Sequence, residues 1–175
     1  MSDDLLRRAT RPTLRRIREL CERVPEAIRP LLEKIAERFN DPTFSGFQIL
    51  RAAGASDWHG KLFKKELGIA PWQLVLELRA EVTLWLLRET PLSVEDIALI
   101  VGYGSESSLR KLLRRTCGFS PAEGRSHLRQ VVREYRDQGD ELMSWYFWVR
   151  YHRGEVEVDE FRGALTYLER RFGPA

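Results

Sequence analysis

Cysteine is scarce in this chain: Cys21 and Cys117 are the only two among 175 residues. Each falls at an apolar helical spacing, so both read as small core residues of a reducing compartment, with no disulfide framework. Long apolar runs are missing as well. No stretch approaches the ~18 residues of a membrane-spanning helix. The opening MSDDLLRRAT is acidic and then basic, without the apolar segment of a secretory signal. The expectation is a cytoplasmic protein with no membrane partner. An excess of one charge is also lacking, since the net charge is only +3. A nucleic-acid footprint must therefore be a local patch. His127 and His152 have no second ligand at metal spacing, which argues against a metal site. No paired carboxylates, nucleophile with its base or phosphate-cradling glycine loop can be assembled, which argues against catalysis and against a cofactor. What remains, at 43% apolar and 31% charged, is a globular chain long enough for one or two domains.

The most informative stretch runs from Ser93 to Pro121. Ser93-Val-Glu-Asp96 resembles a capping box. Val94, Ile97, Ala98 and Val101 then mark one apolar face of about two turns. Gly102 stops that helix where a left-handed residue is needed. After Tyr103 and Gly104, Ser105 can cap a second helix. Leu109, Leu112 and Leu113 point inward from it, and Arg110, Lys111, Arg114 and Arg115 point outward, against the single acid Glu106. Gly118 ends the helix, and Ser120-Pro121 opens the next one. Helix, glycine turn and basic helix form the pattern of a helix-turn-helix whose second helix enters a DNA major groove. The plainer alternative is a helical hairpin with a solvated basic face.

These residues resemble the second helix-turn-helix of the AraC/XylS family of bacterial transcription regulators. The family's tail, apolar-Arg-Arg-x-x-Gly-x-Ser-Pro, stands here as Leu113-Arg114-Arg115-Thr-Cys-Gly118-Phe-Ser120-Pro121. Ile97-Ala98 also fits, and Leu109 and Cys117 replace two family aromatics with other apolar groups. The resemblance implies double-stranded DNA as ligand and transcription regulation as function, with RNA polymerase or another regulator as a protein partner.

A weaker copy of the pattern lies upstream. Phe44, Phe47, Ile49, Leu50 and Ala53 are apolar, Gly54 marks the turn, and Ser56 caps a helix bearing Trp58, His59, Lys61, Phe63, Lys64 and Lys65. Gly68-Ile-Ala-Pro71 answers Gly118-Phe-Ser-Pro121. Such duplication is characteristic of the family. Gly54 to Gly68 is 14 residues, whereas Gly102 to Gly118 is 16, and family first copies usually have one residue more than this one. Gly60 stands beside the gap, and Leu50 sits where a small residue is usual. Glycine inside a helix costs ~1 kcal/mol relative to alanine. The first reading helix is therefore expected to be short, kinked or repacked around Trp58, and its base contacts are in question.

Between the copies, residues 71–90 hold Leu74, Leu78, Val82, Trp85 and Leu86 at helical spacing and no glycine. A helix of ~19 residues spans ~28 Å, near the ~34 Å between successive major-groove faces. A rod of this length can set two helix-turn-helix units on one side of a duplex. Residues 1–28 form a packing helix with Leu14, Ile17, Cys21 and Val24 on one face, and a basic arm reaching DNA is the alternative. Residues 29–40 read as an amphipathic helix with Leu31, Leu32, Ile35, Ala36 and Phe39 buried. Beyond the family region, residues 129–175 include Leu142-Met-Ser-Trp-Tyr-Phe-Trp-Val149, apolar all round. That segment packs on the domain or joins copies of the chain as a homo-oligomer.

The fold expected is all-α, with two helix-turn-helix units joined by a long helix and helical additions at both ends. The division is 1–28, then 29–128 (29–71, 71–90 and 91–128), then 129–175. The resemblance implies DNA contacts from Ser56, Trp58, His59, Lys61, Lys64 and Lys65 in the first unit. In the second it implies Ser105, Glu106, Ser107, Ser108, Arg110, Lys111, Arg114 and Arg115. Arg110, Lys111, Ser107 and Ser108 are expected at base edges, and Arg114 and Arg115 at phosphates. Many family members carry a ligand-sensing β domain, and this sequence has no strand pattern for one. The rival function is a protein-interaction module that kept the fold and lost DNA binding.

Overall fold

Local signals set out seven α-helices in the computed structural model, which describes residues 3–117 and 120–125, and residues 121–125 are helical as well. They are α1 (Asp3–Cys21), α2 (Arg29–Arg38), α3 (Gly46–Ala52), α4 (Asp57–Leu67), α5 (Pro71–Glu89), α6 (Val94–Ile100) and α7 (Glu106–Cys117). A single 3-10 turn, Glu26–Ile28, lies between α1 and α2. The expected all-α fold is what forms, with no strand among the described residues. The aromatic segment 142–149, the final helix and Gly118 lie outside the described residues.

The caps explain where the helices start and stop. Ser93 Oγ accepts a hydrogen bond from Asp96 N at 3.0 Å, the N-cap read from the sequence. Ser120 N donates to Glu123 Oε2 at 2.6 Å, and Glu123 N donates back to Ser120 Oγ at 3.3 Å, a full capping box. Pro30 and Pro71 sit in the first turns of α2 and α5, where a missing N–H is harmless. Gly68 ends α4 at φ +76°.

The connecting helix α5 is the axis of the fold. It has 19 residues, and buried side chains lie on several of its faces, among them Leu74, Val75, Leu78, Val82, Leu84, Leu86 and Leu87. A helix apolar on several faces must be wrapped by neighbours, and α1, α2, α3, α4, α6 and α7 all pack on α5. In the first unit, Phe39, Phe44, Ile49 and Phe63 are fully enclosed between α2, α3, α4 and α5. In the second unit, Ile97, Ala98, Val101, Leu109 and Leu113 close the core between α6, α7 and α5.

Helix α1 packs on α2 and α5 through Ala9, Thr13 and Ile17. Thr13 donates to Glu81 of α5 at 3.2 Å. Arg29 of α2 donates to the carbonyl of Cys21 at 2.9 Å, satisfying the last turn of α1. Cys21 is half-buried against the core, and that burial raises its thiol above the ordinary range.

Candidate nucleic-acid interface

The two helix-turn-helix units turn through the same hydrogen bonds. In the first, Ala53 N donates to Ile49 O (3.2 Å), Gly54 N to Arg51 O (3.1 Å) and Ala55 N to Leu50 O (2.8 Å). In the second, Val101 N donates to Ile97 O (3.0 Å), Gly102 N to Leu99 O (3.4 Å) and Tyr103 N to Ala98 O (2.8 Å). Gly54 and Gly102 take φ +62° and +87°, a conformation that side-chain-bearing residues rarely adopt. Each turn then delivers a serine cap. Ser56 N donates to Nδ1 of His59 at 3.1 Å, and Ser108 N donates to Oγ of Ser105 at 3.3 Å.

The reading helices follow directly. On α4, Ser56, Trp58, Lys61, Lys64 and Lys65 are exposed and His59 is half-buried. Trp58 is 58% exposed, a large apolar surface with an edge-on contact to the His59 ring at 4.9 Å. Because Nδ1 of His59 accepts the Ser56 amide, the neutral ring carries its proton on Nε2. Only Nε2 is left to face a ligand. On α7, Ser105, Ser107, Arg110, Lys111, Arg114 and Arg115 are exposed, while Glu106 and Ser108 are half-buried. Leu109, Leu112 and Leu113 face inward as their spacing requires.

Two side chains expected at base edges have partners within α7. Arg110 Nε donates to Glu106 Oε1 at 2.6 Å, and the hydroxyls of Ser105 and Ser108 lie 3.0 Å apart. The Arg110–Glu106 pair is roughly half exposed on both sides. Exposed pairs of this kind contribute ~0–1 kcal/mol, less than the ~1–3 kcal/mol of a bidentate arginine on guanine. Glu106 therefore pre-orients Arg110 without locking it away from a stronger acceptor.

The expected kink in the first reading helix is absent. Helix α4 runs unbroken through Gly60, whose N–H donates to Ser56 O at 3.3 Å, the bond that Leu109 N makes to Ser105 O in the second unit. Nor does α4 repack around Trp58, which faces outward. The reason lies across the helix pair. A Cβ built on Gly60 would meet Leu50 Cδ2 at 3.5 Å. The large residue at position 50 occupies the space that the missing side chain at 60 leaves. The second unit has the opposite arrangement, Ala98 on the first helix and Leu109 on the reading helix, both fully buried.

Sequence reasoning missed the residue that joins the units. Arg79 of α5 is only 3% exposed. Its Nε donates to Phe39 O (2.5 Å), and its Nη2 donates to Asp41 O (2.9 Å) and Phe44 O (3.3 Å). Those carbonyls lie at the end of α2 and in the loop before α3. The guanidinium also lies 5.6 Å from the Trp72 ring and 5.1 Å from the Tyr103 ring in the second turn. Beside it, a Cβ on Gly102 would fall 2.6 Å from Asn40 O. The turn of the second unit is thus pressed onto the backbone of the first. The available signal was spacing, because Arg79 shares a buried face with Val75, Val82 and Leu86.

Residues 49–127, spanning both turns and both reading helices, match the helix-turn-helix domain family. An AraC-like transcription regulator of Streptomyces antibioticus is 31% identical over 118 residues, covering 61% of this chain and 39% of the relative. The DNA-binding domain of the global transcriptional factor AdpA, solved in complex with a target DNA, is 30% identical; the match covers 63% of this chain and 98% of that one, with a TM-score of 0.51. The chain belongs to the AraC family. RclR of Escherichia coli strain K12, an HTH-type transcriptional activator, is 35% identical over 72 residues, 41% of this chain and 25% of RclR. The chain thus spans well under half the length of these two full-length relatives. The C-terminal domain of AraT from Geobacillus stearothermophilus shares the fold at 24% identity and a TM-score of 0.56, over 60% of this chain and 88% of that one. The family match at residues 49–127 contains both turns.

Among the described residues no group of three or more His, Cys, Asp or Glu is placed to hold a metal. No described helix is long and apolar enough to cross a membrane.

Proposed function

We propose that this protein binds double-stranded DNA sequence-specifically and regulates transcription, through α4 and α7 placed in successive major grooves. The observation that carries this is the bond-for-bond equivalence of the two turns, each presenting an exposed basic helix on the common rod α5. The rod is about 28 Å long at 1.5 Å per residue, close to the groove spacing of ~34 Å. The family is one of transcription regulators and not an enzyme class. A bound site would act on transcription in the cytoplasm through RNA polymerase or another regulator. Residues 29–128 form the DNA-binding unit in this reading, with 1–28 and 129–175 as additions.

The second unit dominates base readout in this proposal. Helix α7 carries four bases against Glu106, whereas α4 carries three against Asp57 and Glu66. Both helices are well formed, so the asymmetry rests on charge and on the cap that engages His59, not on a broken α4. Ser107, Arg110 and Lys111 read base edges. Lys61, Lys64, Lys65, Arg114 and Arg115 meet phosphates, which tolerate looser geometry.

Site selection from random duplex DNA tests this. One sharp block and a weaker one about a helical turn away are expected. Alanine at Ser107, Ser108 and Arg110 together should abolish the consensus. Alanine at Trp58, His59 and Lys61 should lower affinity and leave the consensus recognisable. No enriched sequence would identify a protein-interaction module instead.

A further inference from the structure

Among the described residues outside the reading helices, α1 carries a run of exposed arginines. Arg7, Arg8, Arg11, Arg15 and Arg18 are all exposed. At about 100° per residue these five side chains fall within an arc of roughly 100°. No apolar residue between Arg7 and Arg18 enters that arc, while Ala9, Thr13 and Ile17 on the far side are buried against the fold. The stripe lies outside residues 49–127, the part that matches the family.

We propose that the arginine stripe of α1 is a second, sequence-independent surface for the phosphates of duplex DNA. This rests on the proposed function in taking DNA as the ligand. Three observations select phosphate. First, Arg7 to Arg18 spans eleven residues, about 16–17 Å of helix. One strand of B-DNA presents a phosphate about every 3.4 Å of axis, so five arginines face about five phosphates. Second, the bases are all arginine, and no lysine precedes Lys34. The planar guanidinium grips a phosphate through two parallel hydrogen bonds, which an ammonium cannot do. Third, the stripe has no apolar anchor. Protein partners bind around buried aromatic or aliphatic residues with charge depleted from the centre, and this surface has the reverse composition. A lipid surface is disfavoured because the apolar face that would insert is already packed on α2 and α5.

The test compares the full chain with a variant carrying Arg7→Gln, Arg11→Gln, Arg15→Gln and Arg18→Gln. Glutamine keeps a helix propensity close to arginine's, and far-UV circular dichroism reports that α1 is intact. A second variant with only Arg11→Gln and Arg15→Gln serves if the first folds poorly. Binding is measured against salt on a selected and on a random duplex. With about 0.9 counterions released per phosphate contact, the slope of log K against log salt should become shallower by about 3–4 in the fourfold variant and about 2 in the double variant. The change should be equal on both duplexes, with the preferred sequence unchanged. An unchanged slope alongside a retained preferred sequence overturns this inference and leaves the proposed function standing. A shallower slope with no preferred sequence in either protein does the reverse. An unchanged slope with loss of binding to polyglutamate would assign the stripe to an acidic protein partner and overturn the inference.

Discussion

Gly54 and Gly102 occupy the same position in the two turns, and alanine should affect them very differently. Both have positive φ, +62° and +87°. A left-handed side-chain-bearing residue costs about 1–2 kcal/mol. Alanine also restricts the unfolded chain, which offsets about 0.4–1 kcal/mol. At Gly54 nothing lies within 4 Å of the new Cβ, so Gly54→Ala should destabilise by only about 0.5–1 kcal/mol net. At Gly102 the Cβ would sit 2.6 Å from Asn40 O and 2.9 Å from Asn40 C. These are backbone atoms, held in place because Arg79 bonds the carbonyls on either side of Asn40. Forcing them apart adds an overpacking cost of about 1–3 kcal/mol, so Gly102→Ala should lose about 2–4 kcal/mol in all. Urea denaturation followed by circular dichroism measures both. The displaced turn should also tilt α7 relative to α4, and site selection with the surviving folded protein should show a blurred spacing between the two blocks. Equal losses for the two variants would refute the argument that the second turn is wedged against the first unit.

The remaining predictions concern single contacts. Arg79→Met should cost about 3 kcal/mol or more, because two buried carbonyls and a half-buried one lose a charged donor; Arg79→Lys should not restore the loss, since a single ammonium nitrogen cannot take the places of both Nε and Nη2, and a wild-type urea midpoint for the lysine variant would show that charge alone suffices. Gly60→Ala should stabilise by about 0.5–1 kcal/mol, as a helical Gly→Ala exchange with its Cβ at ordinary contact distance from Leu50; a lower thermal midpoint would mean that the site has no room. The Asp41 carboxyl should titrate at about 2 by NMR, held down first by the Thr43 hydroxyl and then by Arg38. Its folded value lies below the ordinary 3.8, so its contribution to stability is present above that value and is lost as pH falls toward 2. A value near 3.8 would show that the Asp41–Thr43 bonds do not form in solution.

Legibility followed the range of the forces involved. The Ser93 cap, the Ser120–Glu123 box, the glycine turns and the inward leucines of α7 each depend on residues within about one or two helical turns. All were readable by spacing, and so was the candidate site, because the basic residues of α4 and α7 lie opposite those apolar stripes. The kink expected at Gly60 shows the limit. Glycine at 60 and leucine at 50 were each visible as departures, but taken one helix at a time they read as two defects. Packed together they fill one space.

The sequence by itself determined the helices, their ends, the duplicated turn and the faces that carry charge, since periodicity and capping are local properties of the chain. Tertiary structure alone decided how the two units are set against each other. Arg79 reaches carbonyls 35 to 40 residues away, and Gly102 abuts Asn40, 62 positions upstream. No spacing rule connects such residues. A buried guanidinium is tolerated only when enough acceptors converge on it, and that convergence exists only once α2, α5 and the second turn have packed together.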